Sequence, residues 1–303
     1  MVLTGFGVLM VISATGRETE PGLAAEARAQ LTWWAIAVGA CLAAWRVPFS
    51  WWRELAIPSY IAALLVILTM TALAGSALVP NIKGQANWIV IGSLRAQPVE
   101  FVKLAAVLAT ALLMTAPGFD ARRFSHVLLA LVVAGLPAAL LAKEDLGSAL
   151  TFVPLAFGIL IVAGLRLRHL AILATLTIAV GAIGIWALPK DGSKAYQYKR
   201  IQAWVHPDQY ALTEGYQTAR SVAAIGSGQV LGKGWSQGDQ NRLGMIPEKH
   251  TDLIFAVTGE ELGLLGGLGV VSLFITFAWI GLANASAARP VLDALLDWAM
   301  KDN

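Results

Sequence analysis

The chain of 303 residues is 57% hydrophobic and 14% charged, with a formal net charge of +3. A soluble domain averages about 45–50% apolar and about 25% charged residues, so this composition excludes a water-soluble globular fold. The small positive balance, without a basic cluster, excludes a nucleic-acid partner, and a single cysteine, Cys41, excludes an intrachain disulfide.

Apolar runs of membrane-spanning length recur along the chain. They predict helices at residues 2–14, 31–47, 57–79, 101–116, 126–142, 148–165, 169–188 and 253–285. The runs are continuous and rich in Leu and Ala, without the in–out alternation of a membrane barrel. The expected fold is an all-α polytopic membrane protein with about eight transmembrane helices. The first run is short for a bilayer core of about 30 Å, and the last is long enough to tilt or to begin outside the hydrocarbon. The first run has no basic leader and no clear small-residue cleavage site, so it reads as a first helix and not as a removable signal.

Short polar links such as "RVPFSWWRE", "GFDARRFSH" and "RLRH" join most of the runs. Residues 189–251 are different: a long connection carrying Trp, Tyr, Gly and many charges. Loops of that length in compact proteins are usually functional or disordered, and aromatic content with sparse proline favours function. Under alternating topology Arg46, Arg53, Arg122, Arg123, Arg166 and Arg168 share one side, against Arg17, Arg28, Lys83, Arg95 and Lys143. That bias predicts the long loop outside the cytoplasm. No internal repeat is evident, which counts against an inverted-repeat transporter.

The stretch "PEKHTDLIFAVTGEELGLLGG" places Asp252 at the mouth of the last apolar run, with Glu260 and Glu261 two turns further in. One reading of Asp252 or Thr251 is a helix cap that accepts hydrogen bonds from the first free amides. The other is a carboxylate at the water–bilayer boundary acting as a general base. Glu260 and Glu261 are adjacent, so they cannot share a helix face. At least one should face the bundle interior, where pairing with a Lys or Arg and a direct chemical role are both open.

In "LRAQPVEFVKL", Glu100 and Lys103 stand at i,i+3, spaced for a surface ion pair or for a lysine that meets an anionic head group. "LAKEDLGSAL" crowds Lys143, Glu144 and Asp145 into one short link. The loop segment "GYQTARSVAAIGSGQVLGKGWSQGDQNRLG" has glycines that could bring backbone amides to a phosphate, and "SVAAIGSG" reads as a short interfacial helix. Lys199, Arg200, Arg220, Lys233 and Arg242 are its cationic options. His126, His169, His206 and His250 are scattered, so no metal-site spacing is present.

Together these residues resemble the SEDS family (shape, elongation, division and sporulation: RodA, FtsW, SpoVE). The resemblance runs in order from "NWIVIGSLRAQPVEFVKL" through "EDLGSAL", "KRIQAWVHP" and "GYQTARSVAAIGSGQVLGKGWSQGDQ" to "IPEKHTDLIFAVTGEELGLLGG". The wording of the last blocks is RodA-like. The resemblance implies a peptidoglycan glycosyltransferase polymerising lipid II at the outer face of the bacterial cytoplasmic membrane. It implies Asp252 as the catalytic base and a class B penicillin-binding protein transpeptidase as partner. It makes Glu100, Lys103, Lys143, Asp145, Arg200, Gln217, Ser227, Lys233, Gln240, His250, Thr251, Glu260 and Glu261 candidate substrate-binding residues. It makes no cofactor certain: Lys103, Lys143, Arg200 or a divalent cation (Mg or Mn) could offset the charge of the departing pyrophosphate.

Departures from the family pattern are Val99 for the Ser of "QPSEF", Lys143 and Glu144 for the Gln-Pro of "QPDLGTA", and Asn87 for the Arg before the tryptophan of "RWI". Family members usually have about ten helices, and here the sequence ends after the eighth apolar run. Residues 286–303 read as a short amphipathic cytoplasmic tail after that run. Two other readings use the same bundle: a flippase or transporter for a lipid-linked precursor, and an inactive truncated scaffold.

Overall fold

The computed structural model describes residues 1–16, 24–81, 86–92, 94–142, 145–188 and 196–301; the side chains of 94, 196, 197 and 286–301 lie outside that description. Each predicted apolar run contains a helix. The helices are α1 (Val2–Thr15), α2 (Ala25–Arg46), α3 (Phe49–Ala72), α4 (Val99–Met114), α5 (Phe124–Leu141), α6 (Leu146–Leu150), α7 (Phe152–Val162), α8 (Leu167–Trp186), α9 (Tyr196–Val205), α10 (Tyr216–Gly228), α11 (Asp239–Arg242) and α12 (Ile254–Lys301). Among the described residues four segments, in α3, α5, α8 and residues 254–285 of α12, are long and apolar enough to cross a membrane. The run at 148–165 divides at Thr151 into α6 and α7. The run at 57–79 starts earlier, at Phe49, and leaves helix after Ala72. Beyond Ala285 the backbone of α12 stays helical to Lys301, so residues 286–301 continue that helix and do not form a separate one.

The chain divides into two compact units: residues 1–45 with 181–303, and residues 46–180. In the second unit α5 turns Val127, Ala130, Ala134, Pro137 and Leu141 inward. The three- and four-residue spacing places them on one stripe, and the small residues let neighbouring backbones approach. Ala63 and Ile67 of α3, Val102, Ala105 and Ala106 of α4, and Phe152 of α7 share a core with Leu141. On α4 the outward residues are also apolar: Phe101 is 74% exposed. An apolar outer face is what a helix shows to lipid.

Pro137 has no N–H to give the carbonyl one turn back, at Val133. The Tyr60 hydroxyl donates to that Val133 oxygen at 2.7 Å, which ties α3 to α5 at the gap. A short antiparallel hairpin, β1 (Ile89–Ile91) with β2 (Leu94–Ala96), precedes α4.

In the first unit, Met10 and Ala14 of α1 pack with Ala224 of α10, Ile246, and Ala256 and Val257 of α12. α12 is broken at Gly263, whose φ of 65° and ψ of −162° leave the helical region. Residues 228–234 fill the break. The Lys233 and Gly234 amides donate to the Glu260 and Glu261 carbonyls at 3.0 and 2.9 Å. The Leu264 and Leu265 amides donate to the Gln229 and Val230 carbonyls at 2.8 and 3.2 Å. Backbone groups exposed by a helix break in a low-dielectric setting cost several kcal/mol each unless re-paired, and here loop residues re-pair them. Only glycine fits at the break: a Cβ on Gly263 would lie 2.3 Å from the Gly232 nitrogen.

Candidate functional site

Residues 248–253 turn the chain into α12. Glu248 adopts a φ of 47°. Its carbonyl accepts from the Thr251 and Leu253 amides at 3.1 and 3.3 Å. The Thr251 hydroxyl donates to the same oxygen at 3.2 Å. Asp252 stands exposed on this turn, two residues ahead of Ile254, with His250 half-buried nearby in sequence. Neither Thr251 nor Asp252 acts as the cap considered above: Thr251 donates, and among the described residues no donor bonds to the Asp252 carboxylate. The carboxylate stands next to a helix N-terminus that favours its charge.

Two turns on, Glu260 and Glu261 are both fully buried. Glu260 Oε1 accepts from Lys233 Nζ at 3.0 Å and from the Gln240 amide at 2.8 Å, and Oε2 accepts from the Asn241 amide at 3.0 Å. The Ser227 hydroxyl bonds the Ala224 carbonyl at 2.8 Å and reaches Glu260 Oε1 at 3.5 Å. Lys233 Nζ also pairs with Asp239 at 3.0 Å. Burial pulls the Lys233 ammonium down, but the Glu260 and Asp239 carboxylates outweigh it and hold its pKa above the usual lysine value. Glu261 takes neutral donors: the Ser13 hydroxyl, the Ser236 amide at 3.0 Å and Asn241 Nδ2 at 2.9 Å.

Adjacent glutamates leave a helix in different directions, and both are enclosed because residues 227–241 wrap one side while α1 covers the other. Asn241, 3% exposed, serves both carboxylates. Sequence reasoning missed Asn241, Ser236 and Ser13, which carry no charge and lie far from Glu261 along the chain. The pairing lysine comes from the loop and not from another transmembrane helix.

In the other unit, Asp145 caps α6: its carboxylate accepts from the Ser148 amide at 3.0 Å, the Ser148 hydroxyl at 2.6 Å, and Asn87 Nδ2. Burial works against its charge, yet the hydrogen bonds from Ser148 and Asn87 win and hold its pKa below the usual carboxylate value. Asn87, which stands where the resemblance leads to an Arg, gives this carboxylate a neutral donor in place of a cation. Glu100 and Lys103 bridge each other at 2.8 Å on α4. Lys143 lies outside the described residues. Arg200 and Gln217 line a separate cleft on α9 and α10. Among the described residues no three His, Cys, Asp or Glu side chains gather as a metal cluster.

A family model described as "Cell cycle protein", covering FtsW, RodA and SpoVE, matches residues 1–300. The probable peptidoglycan glycosyltransferase FtsW of Geobacter metallireducens is 31% identical over 95% of this chain and 76% of its own length. The peptidoglycan glycosyltransferase MrdB of Escherichia coli K12 is 32% identical over 76% of this chain and 60% of its own. Among solved structures, a chain of a peptidoglycan synthase complex superposes with a TM-score of 0.64 at 23% identity, covering 90% of this chain and 73% of that one. The likeness in fold and sequence spans both units, and the chain belongs to the FtsW/RodA/SpoVE family.

Proposed function

We propose that this chain is a peptidoglycan glycosyltransferase of the bacterial cytoplasmic membrane that polymerises lipid II, with Asp252 as the general base. The observation that carries the reading is an exposed carboxylate with no internal partner among the described residues, on a turn whose Lys249 donates to the Asn241 carbonyl at 3.2 Å. The relatives named as peptidoglycan glycosyltransferases support the reaction class.

In the proposed step the Asp252 carboxylate takes the proton of the acceptor sugar's 4-hydroxyl as that oxygen attacks the donor's anomeric carbon. The new C–O bond forms opposite the breaking bond to the pyrophosphate, so configuration inverts. The bond pair leaves with the undecaprenyl pyrophosphate, a stabilised anion that needs no protein acid. One base suffices. The 189–251 connection then lies outside the cytoplasm, where the sugars are, and a class B penicillin-binding protein cross-links the product.

The test is glycan polymerisation from lipid II by purified wild type and Asp252→Asn. Loss of a general base lowers the rate about 10²–10⁴-fold. The exposed position and lack of internal bonds predict an unchanged melting temperature. Wild-type turnover by a folded Asp252→Asn protein would overturn the assignment, and movement of labelled lipid II without polymer would point to a flippase.

A further inference from the structure

In the second unit α5 and α8 begin at the end where α4 and α7 finish. Val127 of α5, Leu160 of α7 and Leu173 of α8 share one core there, with Met114 of α4 and Phe119 packed against it. The rings of Phe124 and His169 meet edge-on at 5.5 Å and join the starts of α5 and α8. The start of α3 lies at the same end. Ile67 shares a core with Leu141, and Tyr60 bonds Val133, so α3 and α5 run in the same direction. At a rise of roughly 1.5 Å per residue, Arg53 and His126 then both lie about 10 Å nearer the helix starts than that bond.

Five exposed arginines collect here: Arg53, Arg122, Arg123, Arg166 and Arg168. Against them stand the carboxylates of Glu54 and Asp120. Among the described residues only Arg123 pairs, with Asp120 at 3.8 Å, and Asp120 already accepts from the Arg122 amide at 2.8 Å. The first turns of α3, α5 and α8 hold no acidic residue, and neither α3 nor α5 has a side-chain cap. Free amides at a helix start favour an anion, yet Arg123 is the N-cap of α5 and Arg168 lies in the first turn of α8. The C-termini of α4 and α7 offset part of the positive field, but the excess of whole charges remains. Buried His169, between the two arginine pairs, has an Nδ1 with no hydrogen-bond partner among the described residues.

The anion that this end calls for is lipid-borne. Leu167, between Arg166 and Arg168, is 81% exposed, as is Phe49 at the start of α3. Arginines interleaved with bare apolar side chains suit a bilayer boundary, where the first meet phosphate and the second meet acyl chains.

We propose that this end of the second unit binds an anionic phospholipid by its headgroup phosphate, held by Arg122 and Arg123 ahead of α5 and by Arg166 and Arg168 at the start of α8. Guanidinium forks match phosphate oxygens bidentately. The site uses no residue of the Asp252 turn or of the Glu260–Glu261 network, so it stands apart from the reaction proposed above.

The test offers the full chain in detergent equal amounts of dioleoylphosphatidylglycerol and dioleoylphosphatidylcholine, and native mass spectrometry counts the lipids retained. Wild type should keep the anionic lipid with a preference of about tenfold or more. Arg122→Gln combined with Arg168→Gln, at two exposed positions outside the core, should abolish that preference. Arg28→Gln combined with Arg95→Gln, the same charge change at exposed positions elsewhere, should leave it intact. Inorganic phosphate should not displace the lipid. No preference in wild type, an unchanged preference in the Arg122/Arg168 variant, as for arginines that only set orientation across the bilayer, an equal loss in the Arg28/Arg95 variant, or displacement by inorganic phosphate would each overturn the proposal.

Discussion

Replacing Lys233 by Met strips the cation from a carboxylate with no access to water. Glu260 is 0% exposed, and Lys233 Nζ is its sole charged partner among the described residues, at 3.0 Å. Breaking a buried ion pair from one side costs about 3–5 kcal/mol, because the remaining charge is stranded. The Lys233 side chain is 26% exposed, and the Gln240 and Asn241 amides continue to bond Glu260. Both facts move the expectation to the lower end, about 3 kcal/mol. At about 2–4 °C per kcal/mol for a large domain, that is a fall of roughly 6–12 °C in melting temperature. The assay is thermal unfolding in detergent of wild type, Lys233→Met, Glu260→Gln and the double variant. Glu260→Gln removes the stranded charge, so the double variant should lose less than the sum of the singles. A shift of Lys233→Met within about 1 °C, or additive losses in the double variant, would refute the idea that this pair holds the break in α12 together.

Gly263→Ala places a Cβ 2.3 Å from the Gly232 nitrogen at a φ of 65°; the expected result is loss of folded protein, and monodisperse wild-type yields on gel filtration would contradict it. The pKa of Asp145 is lowered in the folded chain. Its contribution to stability is complete above the unfolded value of about 3.9 and is lost as pH falls through the lower folded value. The melting temperature should therefore drop below about pH 4, with a shallower drop in Asp145→Asn, and equal acid sensitivity in both proteins would count against the cap. Gln237 is exposed, whereas neighbouring Ser236 is half-buried with its amide on Glu261. A cysteine at Gln237 in a Cys41→Ala background should react with an impermeant maleimide added outside intact cells; labelling only after lysis would reverse the topology.

The spans were legible because hydrophobicity in a membrane helix is continuous and needs no knowledge of neighbours. The exposed place of Asp252 just ahead of α12 was legible for the opposite reason: a charge at the edge of an apolar run stands out. The break at Gly263 was not, since glycines in "GEELGLLGG" read equally well as a small-residue packing face. What distinguishes them is the pairing of Gly263 with residues 229–234, a contact between distant segments. Ser13 is the extreme case. An unremarkable residue on α1, it becomes a ligand of Glu261 only through the packing of α1 on α12. The β1–β2 hairpin carried a readable sequence signal, a Gly-Ser pair after the apolar run "IVI", a pairing common in two-residue hairpin turns.

The stitched break in α12 also has a consequence for biosynthesis. Residues 228–241 leave the ribosome before Glu260 and Glu261 exist, so their amides, Lys233 and Asn241 have nothing to grip while the loop emerges. α12, for its part, cannot adopt its bend until that loop is at hand to receive its broken ends. Closure of the loop therefore waits until residues 260–265 of α12 have been made and placed beside it. An assembly stalled before that event carries the earlier helices with residues 228–241 still without their partners on α12.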